Sequence, residues 1–380
     1  MKQRSKLPYI GTTIFTTMSQ MAAEYQAINL SQGFPDFACD PVLIDLVTKA
    51  MKQQYNQYAP MPGVLALREA VAQKIEACYG AQYHPETEVT ITAGASQAIY
   101  TTISTFIQPG DEVLLFKPAF DIYEPAITVA GGTPIAIQLD APNYTIDWEV
   151  VKVNISAKTK MIIINTPQNP TGSILTAADM QILEALTENT DILVLSDEVY
   201  EHIIFDGHQH ESASTYAGLK ERSIVTASFG KTFHVTGWKM GYCVAPASLM
   251  AEIRKVHQYD VFCVHHPTQI ALAEYLKEPS HYEQLNAFYQ EKRDLFLDSI
   301  KGSRFRFTPS AGTYFQNLDY TAISDEHDVA FAKRLVEEFR LATIPISVFN
   351  VDGRSDGLLR FCFAKKEDTL RRAAEVLNRI

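Results

Sequence analysis

Residues 223–243, SIVTASFGKTFHVTGWKMGYC, place an apolar run directly before a stretch of small and polar residues. The run SIVTA is typical of a buried strand, and Lys231 follows shortly after that strand ends. A lysine in this position is ordinarily a surface residue. A desolvated lysine near another cation instead loses its proton and becomes an amine nucleophile. Lys239 lies eight residues further on, so a nucleophilic Lys231 is an alternative to an exposed one, and the stretch alone still favours the exposed position.

The pattern of a short apolar run followed by a helix repeats on the N-terminal side of this stretch. It begins at about residue 88, and the runs in 160–164, 191–195 and 223–227 are almost continuously apolar. Such runs predict a mainly parallel sheet that helices cover on both faces. In these sheets ligands bind beyond the carboxyl ends of the strands. The polar segments at predicted strand ends are TAGASQ (92–97), NTPQNPTG (165–172), SDEVY (196–200) and the segment around Lys231.

Two of these strand ends suit a ligand that carries a phosphate and a ring nitrogen. Asp197 follows ILVLS, where a carboxylate is either a turn or N-cap residue or the counter-ion of a protonated heteroaromatic nitrogen. The segment Gly94–Ser96 is either a tight turn or the start of a helix whose free N–H groups bind an anion. Ser228 and Lys239 would add a hydroxyl group and a cation to that anion site.

Composition and charge argue against several other classes of protein. The net charge of −11 and the pI near 5.4 are the opposite of a nucleic-acid-binding surface. Five scattered cysteines without a C-x-x-C pair predict neither a disulfide framework nor a zinc site. His202, His208 and His210 have poor metal spacing and predict a polar loop. Neither a secretory signal nor a membrane-spanning run is recognisable, so we expect a cytoplasmic enzyme.

The length of 380 residues predicts two domains. After about residue 280 a charged helix, alternating segments in 304–320 and 358–366, and a last helix indicate a smaller α+β unit. The first part of the chain, through about Tyr58, is weakly periodic and is expected to wrap over other parts or another subunit. We predict an N-terminal arm with part of the small domain over 1–45, a large domain over 46–278 and a small domain over 279–380.

In their order and spacing, NTPQNPTG, SDEVY, SFGKTFHVTGWKMGY and RFCFAKK resemble the fold-type I, class I/II aminotransferases that depend on pyridoxal 5'-phosphate. The likeness extends to LSQGFPDF, NQYAPMPGVLALREA and EVTITAGASQAIY, and so spans nearly the whole chain. Common class I members have Ser before the lysine and Pro-Gly-x-Arg after it. Gly230 and the segment Thr236–Lys239 stand there instead, which is similar to the branch of kynurenine aminotransferases, glutamine transaminase K and bacterial methionine aminotransferases.

The resemblance implies the α/β fold of pyridoxal-phosphate-dependent transferases. That fold has a large domain with a mainly parallel seven-stranded sheet covered by helices, and a small α+β domain. Lys231 would form the Schiff base with the cofactor and, once released, act as the base. Asp197 would pair with the pyridine nitrogen, and Tyr200 with Asn169 would hydrogen-bond the phenolic oxygen. The other implied cofactor contacts are Phe120 on the ring, Gly94, Ala95, Ser96, Ser228 and Lys239 at the phosphate, Asn165 behind them, and Tyr58 from a partner subunit.

For the substrate, the resemblance implies that Arg360, Asn169 and the backbone at Gly33 bind the α-carboxylate. We expect Phe15 to line the side-chain pocket, together with Tyr58, Phe262 and Phe349. The predicted donor is therefore a neutral, large amino acid such as methionine, glutamine, an aromatic amino acid or kynurenine. A 2-oxo acid would accept the amino group in a ping-pong cycle. A homodimer with shared active sites is implied; metal, nucleic acid and membrane are not.

Three alternatives stay open at this point. The same cofactor chemistry would serve a β-lyase acting on cysteine conjugates or cystathionine. A pyridoxal-phosphate-binding regulatory protein without catalysis is a more remote alternative. A Rossmann dehydrogenase would fit the strand and helix pattern, but no G-x-G-x-x-G opens a helix after the first strand.

Overall fold

Three sheets organise residues 4–380, which the computed structural model describes. The strands are β1 (Ile28–Asn29), β2 (Val89–Thr92), β3 (Glu112–Lys117), β4 (Thr133–Gln138), β5 (Thr159–Asn165), β6 (Leu193–Asp197), β7 (Ser223–Ser228), β8 (Gly241–Val244), β9 (Phe315–Asp319), β10 (Leu341–Ala342), β11 (Ile344–Pro345) and β12 (Leu358–Cys362). The helices are α1 (Ile14–Glu24), α2 (Pro41–Lys52), α3 (Leu65–Tyr79), α4 (Gly94–Phe106), α5 (Tyr123–Ala130), α6 (Trp148–Asn154), α7 (Ala177–Thr187), α8 (Ala217–Lys220), α9 (Phe229–Thr232), α10 (Ala247–Asp260), α11 (His266–Tyr275), α12 (Ser280–Glu283), α13 (Leu285–Ile300), α14 (Asp328–Phe339) and α15 (Glu367–Leu377).

The largest sheet has seven strands in the order β2-β8-β7-β6-β5-β3-β4. Strands β7, β6, β5, β3 and β4 are mutually parallel, whereas β8 runs antiparallel to both β2 and β7. The predicted seven-stranded, mainly parallel sheet is therefore confirmed. In its register Asn165 lies opposite Asp197, and Asp197 lies opposite Thr226. The polar ends of β5, β6 and β7 consequently meet at one edge.

Both faces of this sheet are buried, as the continuous apolar runs predict. Along β5 the side chains alternate, because successive residues of a strand point to opposite faces. Ile162 and Ile164 belong to the core that includes residues of α6 and α7, whereas Met161 and Ile163 belong to the core with α4, α5 and α10. Burying one such aliphatic side chain contributes about 1.5–3 kcal/mol. The two cores hold the strand ends in fixed relative positions.

The two smaller sheets join the beginning and the end of the chain. Strand β1 pairs in parallel with β10, and β12 lies between β11 and β9 with antiparallel neighbours. The N-terminal part is less irregular than expected, since it contains α1 and α2 and the latter packs against α11. Within 304–320 only β9 is a strand, and Arg306 makes one isolated bridge to Asp319. Pro309 interrupts the alternation there.

The division into 1–45, 46–278 and 279–380 stays a prediction. Among residues 4–380, no helix combines the length and apolarity needed to span a membrane.

Candidate active site

A cavity of about 230 Å³ lies at the edge of the large sheet where β5, β6 and β7 end. It brings together nearly all residues that the sequence predicted as cofactor contacts. These are Gly94, Ala95, Ser96, Phe120, Asn165, Asn169, Asp197, Tyr200, Ser228, Lys231 and Lys239. The cavity is also lined by residues that the sequence did not single out as contacts, namely Ile99, Val199, Gly230, Thr236 and Met240.

Asp197 is buried at the floor of the cavity, with only 2% of its surface exposed. Burial raises the pKa of its carboxyl group from 3.8 to about 6, although two hydrogen bonds oppose this effect. The hydroxyl of Tyr123 donates to Oδ2 at 2.6 Å, and the N–H of Val199 donates to Oδ1 at 3.3 Å. A carboxylate held in this way strongly favours a cationic partner. Tyr123 was missed by the sequence reasoning, although it closes the KPAFDIY segment that contains Phe120.

Asn165 acts on the backbone around the cavity. Its amide nitrogen donates to the carbonyl oxygen of Asp197 at 2.8 Å, and its amide oxygen accepts from the N–H of Asn169 at 2.9 Å. The side chain therefore ties the end of β6 to the loop after β5. The orienting role of Asn165 behind the cofactor contacts stays a prediction.

A buried ionic network supports the turn that follows β6. Glu201 forms a 2.5 Å ion pair with Lys74 of α3 and accepts a 2.5 Å hydrogen bond from Tyr79. Burial alone would raise the pKa of Glu201, but the charge of Lys74 brings it down to about 2. Glu198 accepts a hydrogen bond of 2.8 Å from His210. His210 lies in a loop, as predicted, although its side chain is only 4% exposed.

The part of the cavity wall that contains Gly94 and Lys239 is cationic. Gly94 opens α4 with φ of +77°, a conformation that side chains rarely adopt. A Cβ atom at this residue would lie 3.6 Å from Nζ of Lys239. Within residues 4–380 the amine of Lys239 forms no ion pair. A helix N-terminus beside an unpaired ammonium group is a suitable site for a phosphate.

Lys231 extends toward the small sheets. Its Nζ donates to the carbonyl oxygen of Gly33 at 3.0 Å and to the hydroxyl oxygen of Tyr314 at 3.0 Å. Desolvation, with smaller contributions from the charges of Arg360 and Lys239, lowers the pKa of Lys231 to about 8. The amine is therefore more often neutral near physiological pH than a surface lysine. Tyr314 is a second residue that no motif of the sequence indicated.

Arg360 is a buried cation next to the cavity, with 1% of its surface exposed. Its Nη1 donates to Oδ1 of Asn169 at 2.7 Å, and its Nη2 donates to the carbonyl oxygen of Ser31 at 3.1 Å. Burial lowers the pKa of the guanidinium to about 10, so the group remains charged at neutral pH. No acidic side chain of residues 4–380 forms a salt bridge with it. Such an uncompensated buried cation needs an anionic ligand.

The predicted aromatic residues divide into two groups. The guanidinium carbon of Arg360 lies 5.3 Å from the ring centre of Phe15 and 5.8 Å from that of Phe349. Tyr58, by contrast, is 82% exposed and packs edge-on against Phe262 outside the cavity. Within one chain Tyr58 and Phe262 therefore do not join the other site residues. Among residues 4–380 there is no group of three or more His, Cys, Asp or Glu side chains arranged to hold a metal.

Residues 25–377 match the family described as aminotransferase class I and II, and the chain belongs to this family. The fold, the cavity and this match together make it an amino-acid aminotransferase.

Individual relatives within the family show which aminotransferases the chain is similar to. The chain is 48% identical over 378 residues to methionine aminotransferase of Escherichia coli (strain K12), which covers 99% of this chain and 98% of the relative. It is 33% identical over 410 residues to a kynurenine–oxoglutarate transaminase of Dictyostelium discoideum, covering 97% and 94%. A crystal structure from Escherichia coli, reported to identify a methionine aminotransferase function, superimposes with a TM-score of 0.98 at 47% identity over the full length of both chains. These comparisons give the β-lyase, regulatory and dehydrogenase alternatives no support.

Proposed function

We propose that this chain binds pyridoxal phosphate in the cavity and transfers the amino group of a large, neutral amino acid, methionine foremost, to a 2-oxo acid. One observation carries the proposal: a lysine amine with lowered pKa, a buried carboxylate, and a second lysine beside a helix N-terminus line one cavity, and next to it lies a buried arginine that forms no salt bridge within residues 4–380.

The residues of the cavity fit the cofactor at three places. The N–H groups at the start of α4, with Ser96, Ser228 and Lys239, would hold the phosphate. Asp197 would keep the ring nitrogen protonated, because a buried carboxylate with a raised pKa is stabilised by a cation. Phe120 and Val199 offer apolar surface to the ring, and Tyr200 and Asn169 offer polar groups to its oxygen.

When bound, pyridoxal phosphate supplies a protonated ring that withdraws electrons from the Cα atom of the amino acid. The guanidinium of Arg360, with the amide of Asn169, would bind the α-carboxylate and orient Cα. The Nζ of Lys231 would accept the Cα proton, since its lowered pKa keeps part of the amine unprotonated. Asp197 stays ionised during this transfer, because it would be paired with the ring nitrogen.

The preference for a neutral donor follows from the surroundings of Arg360. Phe15, Phe349 and Phe315 pack around its guanidinium, with Phe315 at 3.9 Å from the guanidinium carbon. An apolar wall of this kind suits a thioether or aromatic side chain and disfavours a second carboxylate. The 48% identity to methionine aminotransferase supports the same choice.

Absorbance spectroscopy tests the proposal. The purified protein reconstituted with pyridoxal phosphate should lose its band above about 400 nm on addition of L-methionine and regain it with a 2-oxo acid. L-Glutamine and L-phenylalanine should react no faster than L-methionine. L-Aspartate should react at least tenfold more slowly than L-methionine. Lys231→Ala should show neither band nor conversion. Faster conversion by L-aspartate than by L-methionine would refute the substrate, and no conversion by any amino acid would refute the function.

We also infer a homodimer whose sites are shared, with Tyr58 entering the cavity of the partner subunit. Tyr58 and Tyr259 are 82% and 84% exposed, and Phe262 is 43% exposed. Exposed aromatic residues close together favour a protein interface. A cytoplasmic location stays a prediction.

Mixing inactive variants tests the sharing of sites. Equal amounts of Lys231→Ala and Tyr58→Ala chains, exchanged through mild denaturation, form hybrid dimers in which one site has both native residues. Half of the dimers are hybrids. If Tyr58 acts across the interface, one of the two sites in each hybrid is restored, which is roughly one quarter of all sites. If Tyr58 acts within its own chain, hybrid dimers form without restored activity.

A further inference from the structure

The amine of Lys231 belongs to a closed group of three polar atoms. Nζ donates to the carbonyl oxygen of Gly33 and to the hydroxyl oxygen of Tyr314, both at 3.0 Å. The hydroxyl of Tyr314 in turn donates to the carbonyl oxygen of Gly33 at 2.5 Å. The hydroxyl oxygen of Tyr314 therefore accepts a hydrogen bond from the lysine, while its proton is donated to Gly33. No motif and no step of the proposed reaction assigns this contact.

The position of the Tyr314 hydroxyl is tightly specified. The side chain is completely buried, and its ring lies edge-on to that of Tyr200 at 5.1 Å. The preceding residue, Thr313, has φ of +65°, which is unusual for a β-branched residue. Its N–H donates to the carbonyl oxygen of Ile203 at 2.9 Å, which holds the strained backbone in place. Backbone strain of this kind concentrates at functional sites.

The residue at position 33 must be small for the group to form. A Cβ atom on Gly33 would lie 2.8 Å from Cζ of Phe315, closer than real contacts allow. Glycine therefore permits the carbonyl group to approach the lysine. Three segments therefore meet at Nζ of Lys231: the loop before α2, the segment after β7 and the residue before β9.

A neutral hydroxyl suits a lysine that must gain and lose a proton. Burial raises the pKa of Tyr314 well above its usual range, so the hydroxyl keeps its proton. A carboxylate at this place would form a permanent ion pair and hold the lysine as an ammonium ion. A phenol accepts a hydrogen bond from either form, more strongly from the ammonium form, and does not fix the lysine in one of them.

We propose that Tyr314 is a further catalytic residue, which holds Nζ of Lys231 whenever this nitrogen carries no covalent bond to the cofactor. The inference rests on the proposed role of Lys231 as the base. When Nζ takes the Cα proton, the electron pair of the broken C–H bond stays with the substrate, and the amine becomes an ammonium group. Two of its N–H groups then donate to Tyr314 and Gly33. In the next transfer the ammonium group would give one of its protons back to the bound substrate and cofactor and become the amine again, so Tyr314 itself never ionises.

The variant Tyr314→Phe tests this role. It is expected to fold, because Gly33 and Lys231 still bond each other at 3.0 Å. The matched control is Tyr289→Phe: Tyr289 is also completely buried, its ring lies 5.6 Å from that of Tyr314, and its hydroxyl has no hydrogen-bond partner among residues 4–380.

Two measurements are compared in the wild type and both variants. The first is the rate of single turnovers with L-methionine and with its Cα-deuterated form. Tyr314→Phe should slow the proton transfer roughly tenfold, because it removes one hydrogen bond to a charged group. The deuterium isotope effect on this step should rise. In the cofactor-free protein at pH 7.5, acetic anhydride should label Lys231 several times faster in Tyr314→Phe, because the ammonium form loses an acceptor. Tyr289→Phe should match the wild type in both.

The inference is overturned if Tyr314→Phe equals Tyr289→Phe in the isotope-sensitive step, whether or not labelling changes. It is also overturned if labelling of Lys231 is the same in all three proteins. Failure of the proposed function looks different. In that case the wild type itself shows no spectral conversion with amino acids, while the labelling contrast, which needs no cofactor, still reports the contact.

Discussion

In the cofactor-free protein the carboxyl group of Asp197 is buried, and no cation among residues 4–380 lies at hydrogen-bond distance from it. We expect Asp197→Asn to stabilise this form of the protein while it abolishes transamination. Asparagine keeps both hydrogen bonds, since Oδ1 can accept from Val199 and Nδ2 can donate to the hydroxyl of Tyr123. What it removes is the cost of burying a charge.

The size of the effect follows from the pKa of Asp197. The folded value of about 6 lies above the ordinary 3.8, so the folded state binds the proton more tightly than the unfolded state. Below about pH 3 both states are protonated and the carboxyl group costs almost nothing. Stability is then lost as the pH rises toward 6, and the full loss above that pH is about 3 kcal/mol. At pH 4.5 the same relation leaves a loss of about 1 kcal/mol.

Urea denaturation of the cofactor-free proteins at one protein concentration measures this difference. Asp197→Asn should raise the free energy of unfolding by about 3 kcal/mol at pH 7.5 and by about 1 kcal/mol at pH 4.5. Asp140→Asn is the control, because the side chain of Asp140 is 79% exposed and should change stability little. Equal gains at both pH values, or a loss of stability at pH 7.5, would show that burial does not set the pKa of Asp197.

Three further predictions concern other groups of the site. Arg360→Lys should raise KM for L-methionine roughly a hundredfold with a smaller change in kcat, because lysine cannot bind both carboxylate oxygens; an unchanged KM in steady-state kinetics would place the carboxylate elsewhere. Tyr123→Phe removes a hydrogen bond that lowers the pKa of Asp197, so that pKa should rise above about 6, and affinity for pyridoxal phosphate at pH 7.5 should fall roughly tenfold in a fluorescence titration. Unaltered affinity of Tyr123→Phe for pyridoxal phosphate would contradict this role of the tyrosine. Labelling of Lys231 by acetic anhydride in the cofactor-free protein should rise through a midpoint near pH 8, since the amine is neutral above its pKa; a midpoint near 10.5 would mean that the lysine is solvated.

The sequence predicted the large sheet well, and it predicted that polar residues meet at one edge of that sheet, because both features depend on local patterns. Apolar runs of strand length identified β5, β6 and β7, and the residues after them, Asn165, Asp197 and Ser228, line one cavity. The parallel register then brings these ends together without further information. The direction of β8 was not predicted, since an antiparallel strand between buried neighbours has the same apolar composition as a parallel one.

The contacts that the sequence missed are those made across long separations. Tyr123 donates to Asp197 from a helix 74 positions earlier, and Tyr314 bonds Lys231 across 83 positions. Neither tyrosine lies in a pattern that differs from ordinary core residues. Tyr58 is the reverse case: the sequence predicted a contact that one chain cannot show, because its predicted place in the cofactor site requires a second subunit.

Tyr314 and Arg360 come from the β9 and β12 region, whereas Asp197 and Lys239 come from segments of the seven-stranded sheet and its loops. The contacts of these two residues return to the beginning of the chain, because Gly33 bonds both Tyr314 and Lys231, and Ser31 bonds Arg360. A change in the loop before α2 would therefore alter the surroundings of the lysine and of the arginine together, while the contacts that Asp197 makes with Tyr123 and Val199 stay the same.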